Sequence, residues 1–421
     1  MKAIRVAIIG AGSVYTPELL DMMGQMRGDI QIGSLCLMDT DPARLSIMTG
    51  FTRRFLDALD YKTELSQTAD RLEAIKNADF IITQIRVGGN AARVNDEKIP
   101  MKYGLLGQET TGAGGFAKAL RTAPVMVDIA RDVEQYNPGA WVINYTNPTG
   151  IVAEAVTKHT KASFISLCGG GRHPGNMLYK AYGIEHSRVR YDFFGLNHFN
   201  FSYNITIDGR PITDEEFEKM AEYVGGVNPE LTRVFGAIPS LYVPYFYNKN
   251  ERFRHAAESE KTRGEVVQGL ERELYELYAD PDLRTKPELL SKRGGGDYAE
   301  MALGVISAIA NNRDTFAVCN VSNNGAIPFL PTDAVVETAC MVNASGARPL
   351  TFKSLPGHVW GMVCAVKNYE SLTVEAAMGG SRVKALQALL AHPLVMDYDL
   401  AAPLLEELLN ANQQYLPRFF S

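Results

Sequence analysis

The sequence predicts an α/β protein: a doubly wound parallel sheet over residues 1–170, then a second, mixed α/β (α+β) domain over residues 171–421. Three observations predict it. Short apolar runs alternate with helix-like stretches through the first part of the chain, as in βαβ units. The runs are almost free of charge, as expected of strands covered on both faces. Polar clusters fall just past the ends of these runs, where open parallel sheets bind ligands. Together they describe a Rossmann-like sheet.

The first run, Val6 to Ile9, is followed at once by Gly10 and Gly12 and then by an amphipathic helix. Thr16 before Pro17 offers a helix cap, since proline is tolerated in a first turn. A tight glycine turn between strand and helix presents backbone N–H groups to a pyrophosphate. The third glycine of the usual pattern is absent, and Tyr15 stands there. A second strand, Ser34 to Asp39, ends on an acid. Asp39 either holds adenosine ribose hydroxyls or simply closes a strand at the surface.

Further strands are expected at Asp79 to Gln84, Trp141 to Asn144 and Phe164 to Cys168, with a helix around Asp70 to Asn77 between the first of these and Asp39. Beyond residue 170 strand character returns at Val189 to Asp208 and at Phe316 to Val321. Helices are expected at Asp214 to Tyr223, Glu258 to Leu277, Ala299 to Ala310 and through most of Leu372 to Leu409.

Composition sets limits on function. With 421 residues, two domains are the natural expectation. A net charge of −6 gives no general attraction to nucleic acid or anionic membrane, so an anion site has to be a local basic cluster. No apolar run reaches membrane-spanning length, and glycines break the apolar start, unlike a signal peptide. Five scattered cysteines do not form a disulfide framework, which makes the cytoplasm the expected location.

Several clusters could carry chemistry. Arg86 and Arg93, with glycines between them, could clamp an anionic substrate or lie solvated on a loop. Asn144 and Asn147 put two amides at a strand end, and Asn147 could face sugar hydroxyls or a phosphate. Cys168 and His198 could share a divalent metal, or be a small core thiol and a hydrogen-bonded core imidazole. Tyr242, Tyr245 and Tyr247 could pack between domains, or one could serve as a base beside a cation. Lys292 and Arg293 begin a basic, glycine-rich loop that ends at Asp297 and Tyr298.

Taken in order, these segments resemble one family. They include Gly10-Ala-Gly-Ser-Val-Tyr-Thr-Pro17, Gln84-Ile-Arg-Val-Gly-Gly89, Gly107-Gln-Glu-Thr-Thr-Gly112 and Phe116-Ala-Lys-Ala-Leu-Arg-Thr122. Thr146-Asn-Pro-Thr-Gly150, Gly195-Leu-Asn-His198, Ile238-Pro-Ser-Leu-Tyr242, Lys292-Arg-Gly-Gly295 and Asn323-Asn-Gly-Ala-Ile-Pro328 complete the set. The chain is similar to the NAD- and metal-dependent glycoside hydrolases of family 4, especially the 6-phospho-β-glucosidase branch. The resemblance implies a hydrolysis outside the usual two-carboxylate scheme: NAD-dependent oxidation at C3, removal of the C2 proton, elimination of the aglycone, water addition and re-reduction. It implies NAD on Gly10, Gly12, Ser13 and Asp39, a divalent metal (usually manganese) on Cys168 and His198, and Tyr242 as the C2 base. It also puts Arg93, Asn147 and Arg293 on the sugar or its phosphate, with Glu109 nearby, in a cytoplasmic homodimer or homotetramer.

One run departs from the pattern. After the cysteine the family carries Asn or Asp, an apolar residue and Pro, whereas here Gly169, Gly170 and Gly171 precede Arg172 and His173. His173 is either an extra ligand or leaving-group acid, or part of a solvated loop, and Arg172 either an added anion contact or likewise solvated. Three alternatives stand beside this reading: a member acting on an unphosphorylated glycoside or uronide; a non-catalytic NAD- and sugar-phosphate-binding sensor, which Gly169 would allow; and a lactate- or malate-type dehydrogenase, which the nucleotide half alone would suit.

Overall fold

The structure, a computed structural model, describes residues 3–170, 173–294, 298–352 and 357–420. Six strands come first: β1 (Ile4–Ile9), β2 (Ile32–Met38), β3 (Glu64–Thr68), β4 (Phe80–Thr83), β5 (Trp141–Asn144) and β6 (Ser163–Ser166). They are parallel and lie in the order β3-β2-β1-β4-β5-β6. That order reverses between β1 and β4, which opens a crevice at the strands' carboxyl ends. Alternate residues feed opposite layers, as the pleat requires. Val6 and Ile8 pack with Leu35, Leu37 and Ile82 on one face, whereas Ala7 and Ile9 pack with Ile81 and Val142 on the other. Burial on both faces is why these strands read as continuous apolar runs.

The chain then leaves this sheet for a second one, made of β7 (Val189–Leu196), β8 (Phe199–Ile207), β9 (Arg210–Pro211) and β10 (Ile238–Pro239). It returns as β11 (Thr315–Ser322), β12 (Val335–Asn343) and β13 (Gly346–Pro349), antiparallel on the β6 edge, giving nine strands in all. Thr338 Oγ1 donates to the Phe193 carbonyl at 3.0 Å, tying β12 to β7 across the two sheets.

The elements differ from expectation in several places. Thr16 is the first residue of its helix, and the cap position belongs to Tyr15. The expected helix from Glu258 is two helices, Lys249–Glu258 and Arg263–Ala279, parted by a capping box in which Thr262 accepts from the Glu265 N–H. β3 has no apolar run because it is a polar edge strand with little burial. Among the described residues no helix is long and apolar enough to cross a membrane.

Candidate active site

The β1 turn requires both of its glycines. Gly10 has φ +90°, and a Cβ there would lie 2.9 Å from the Gln84 carbonyl oxygen. A Cβ on Gly12 would come 2.7 Å from Asp39 Oδ2, which accepts the Gly12 N–H at 2.8 Å. Asp39 Oδ1 accepts the Asp41 N–H at 2.9 Å, so the carboxylate is fixed beside the turn. Ser13 Oγ accepts the Tyr15 N–H at 3.2 Å, which leaves its O–H free to donate outward. Thr16, displaced from the cap, donates to the Ala11 carbonyl at 2.8 Å and accepts from Gln84 Nε2 at 3.0 Å. A cavity of about 1110 Å³ opens at this turn and runs on to Asn147, Tyr242 and Arg293.

Two sheets supply its far end. Cys168 lies two residues beyond β6, with Leu167 N–H held by the Asn144 carbonyl at 2.9 Å. His198 sits in the two-residue turn between β7 and β8, where Leu196 pairs with Phe199, and its φ of +66° is uncommon for a non-glycine residue. The turn carries the imidazole back to the first sheet. Cys168 Sγ and His198 Nε2 are 3.4 Å apart. Tyr242 lies flat on the imidazole, ring centroids 3.7 Å apart at 14°. Its chain is fixed just before it by the Ser240 N–H donating to the Asn200 carbonyl at 3.0 Å. A Cβ on Gly170 would be 2.9 Å from the Tyr242 ring and 3.5 Å from Cys168 Sγ. Gly170 therefore leaves the room in which Tyr242 packs.

Burial sets the protonation states. It pushes the Cys168 thiol up to about 12, with Glu337 adding to the effect, and takes His198 down to about 3, helped by Lys118. The Tyr242 phenol is held well above its ordinary range by burial and by Cys168. The pair is thus a thiol and a neutral imidazole.

Charged groups line the rest. Glu109 is half-buried and paired with Arg86, with Lys118 at 2.9 Å and with Arg93 at 3.1 Å. Although its burial opposes ionisation, these cations hold it well below the usual carboxylate range. Arg93 also meets Glu97 at 2.9 Å; neither pair uses its Nη2. Arg293 stacks on Tyr15 at 4.2 Å, and its buried Nε has no hydrogen-bond partner. Tyr15, standing where a third glycine was expected, is what the arginine rests on. Asn147 is half-buried, its Oδ1 accepting from Thr149 Oγ1 at 3.0 Å and its amide donating to the Tyr145 carbonyl at 3.2 Å.

His173 is elsewhere. Its Nδ1 accepts the Gly175 N–H at 2.9 Å and caps the helix Pro174–Tyr182, and its ring packs against His186 and Tyr191. It does not line the cavity, so it is neither the extra ligand nor the acid considered above. Arg172 and Asp297 lie outside the described residues. Three site residues escaped the sequence. Tyr298 puts its hydroxyl 3.7 Å from Cys168 Sγ. Lys118 lies in the helix Gly112–Tyr136, three residues before Arg121. Glu337 is buried on β12, accepting from Asn320 at 2.9 Å and Asn200 at 2.5 Å. Tyr298 had a signal in its place just after a glycine loop, and Lys118 in the motif Phe116–Thr122, though neither was assigned a role.

The donor set fits a metal in one respect. Metal–ligand bonds of about 2.3 Å to sulfur and 2.0–2.1 Å to imidazole, at angles between 90° and 109°, separate the two donors by about 3.1–3.6 Å. The 3.4 Å observed falls within that span. Among the described residues no third His, Cys, Asp or Glu completes a ligand group, so the remaining positions would be open to oxygen donors of a bound molecule.

The chain is similar to known proteins over its whole length. Residues 5–178 match the family described as family 4 glycosyl hydrolase, and residues 193–395 match the family 4 glycosyl hydrolase C-terminal domain. A probable 6-phospho-beta-glucosidase of Bacillus subtilis (strain 168) is 37% identical, covering 100% of this chain and 99% of its own length. The 6-phospho-beta-glucosidase of Escherichia coli (strain K12) is 35% identical over 99% of this chain and 97% of its own. The structure of the 6-phospho-beta glucosidase from Thermotoga maritima with manganese, NAD+ and glucose-6-phosphate superimposes with a TM-score of 0.90, at 32% identity, over 98% of this chain and 99% of that one.

Proposed function

The chain belongs to family 4 of the glycosyl hydrolases, and on that premise we propose that it hydrolyses 6-phospho-glycosides, 6-phospho-β-glucosides foremost, with NAD and a divalent metal, manganese foremost. One observation carries the reading. The Cys168–His198 pair, with Tyr242 stacked on it, stands at the far end of the same cavity that begins at the Gly10–Gly12 turn. An oxidising cofactor, two soft donors and a base are thereby brought to one substrate.

In this reading residues 1–170 carry the dinucleotide. Gly10 and Gly12 let it approach the turn, the Ser13 hydroxyl donates to a phosphate oxygen, and Asp39 accepts from ribose hydroxyls with the lone pairs its two backbone bonds leave over. Residues 171–421 supply His198, Tyr242 and Arg293. The unpartnered Nε of Arg293 and the spare Nη2 of Arg93 suit the sugar phosphate, and Asn147 suits a sugar hydroxyl. Cys168 and His198 would hold the metal, which supplies Lewis acidity at the C2 and C3 oxygens and the positive charge that lets Tyr242 ionise. Tyr242 then takes the C2 proton, an acid weak beside a hydroxyl and much stronger beside a carbonyl. A cytoplasmic homo-oligomer completes the reading, supported by the family resemblance and checked by sedimentation.

The test is turnover of nitrophenyl 6-phospho-β-glucoside by protein given NAD+, Mn2+ and a thiol reductant, in parallel with the α-anomer and the unphosphorylated glucoside. Release from the phosphorylated β-glucoside with exchange of the C2 proton for solvent deuterium is expected. Turnover confined to unphosphorylated sugars would overturn the substrate class, and NAD+ binding without exchange would leave only a sensor.

A further inference from the structure

We propose that Lys118 is the proton carrier of the oxidation step, taking the proton of the C3 hydroxyl as hydride leaves C3 and returning it when hydride comes back. This deepens the reading above and rests on it. That reading removes two protons from adjacent positions, one from the C3 oxygen and one from C2, and a single phenol does not serve both. The cavity must hold a second acceptor. Lys118 is only 3% exposed yet lines the cavity that Tyr242 also lines.

Charge balance singles it out. On the facing loops Arg86 and Glu109 pair, and on the helix Gly89–Lys102 Arg93 pairs with both Glu97 and Glu109. Asp96 is closed on Arg121, both fully buried and bidentate at 2.8 and 2.5 Å. The neutral His198 adds nothing from the second sheet. Two guanidiniums therefore already answer Glu97 and Glu109, and a charged Lys118, bonded to Glu109 at 2.9 Å, is the surplus cation in a buried place. Such an amine gives up its proton easily. Burial, with Arg86 opposing Glu109's attraction, takes it down to about 7. The other groups are unsuited: Glu109 is saturated by cations, and burial holds the Tyr298 phenol well above its ordinary range.

The step balances. The C3–H bond breaks with its electron pair passing to the nicotinamide dinucleotide, the O–H bond breaks with its proton passing to the Lys118 amine, and a C=O bond forms. The sugar is oxidised, the dinucleotide is reduced, and both transfers reverse at the end of the cycle.

Two measurements test it. In protein free of metal and NAD, trace acetic anhydride labelling of Lys118 across pH, followed by peptide mass spectrometry, should give a midpoint near 7; a midpoint in the ordinary lysine range overturns the proposal. In the holoenzyme, Lys118→Ala should lose ~100-fold or more in turnover, and added ethylamine should restore part of it in proportion to its free-base form. Lys118→Arg should stay inactive. Activity of Lys118→Ala within tenfold of the parent, or no recovery with amine, also overturns it. Should the variants fail to fold, the labelling of the parent protein still decides. An inactive parent protein bears on the reading above, whereas an active parent with an amine-insensitive variant bears on Lys118 alone.

Discussion

Glu109, half-buried, and Glu154, fully buried, are both carboxylates surrounded by cations, but they do different things. Glu154, on the helix Thr149–His159, accepts from Lys158 and Lys367 at 2.8 Å, from Ser371 at 2.6 Å and from the Val335 N–H at 3.2 Å. Lys367 also meets Glu370 at 2.5 Å and Lys158 the exposed Asp333 at 3.9 Å, so each lysine is matched by carboxylates and no cation is left over. The cluster pins that helix and β12 to the helix Trp360–Gly379. The Glu109 cluster, drawn from two loops and two helices, lines the cavity and leaves one cation over. A closed charge count in the core gives rigidity, whereas a surplus beside a cavity gives a proton that can move.

The largest effect that would sharpen this contrast is in the core. Lys367→Met should leave Glu154 and Glu370 short of a cation and cost about 3–5 kcal/mol in urea unfolding, while NAD+ affinity of the folded fraction stays unchanged. A loss of turnover without loss of stability would break the distinction. Next is acid. Glu154 is held down to about 2, mainly by Lys367 against its burial. Its folded value lies below the unfolded one, so its contribution is present above about pH 4.5 and is lost as pH falls toward 2. A loss of roughly 3 kcal/mol is expected over that window, and Lys367→Met should flatten the curve. The smallest change in stability belongs to the cavity side. Gly170→Ala should displace Tyr242 from His198 and lower kcat roughly 10- to 100-fold, with unfolding free energy within about 1 kcal/mol of the parent.

The parallel strands were legible because each buries both faces and so advertises itself locally, and the Gly10–Gly12 turn because close backbone approach tolerates no side chain. Cys168, His198 and Tyr242 were legible only through their motifs, since nothing in a 30-residue separation says that a strand end and a hairpin tip meet. β3 was missed for want of apolar residues, and β12 and β13 because their place in the sheet rests on pairing with a strand that follows a long excursion. Lys118 was hidden in a helix whose other residues are largely apolar. His173 was misleading for the opposite reason: a histidine near a cysteine in sequence proved to be a helix cap.

The two halves of the Cys168–His198 pair arrive from different sheets, one at the end of β6 and the other on the turn of an excursion that begins and ends on the first sheet. On the proposed reading, turnover therefore requires both sheets to be in place. A chain with its dinucleotide crevice formed but its excursion undocked would bind cofactor and yet lack one of the two donors. On the proposed reading, Mn2+ affinity during refolding marks the moment at which the second sheet takes its place.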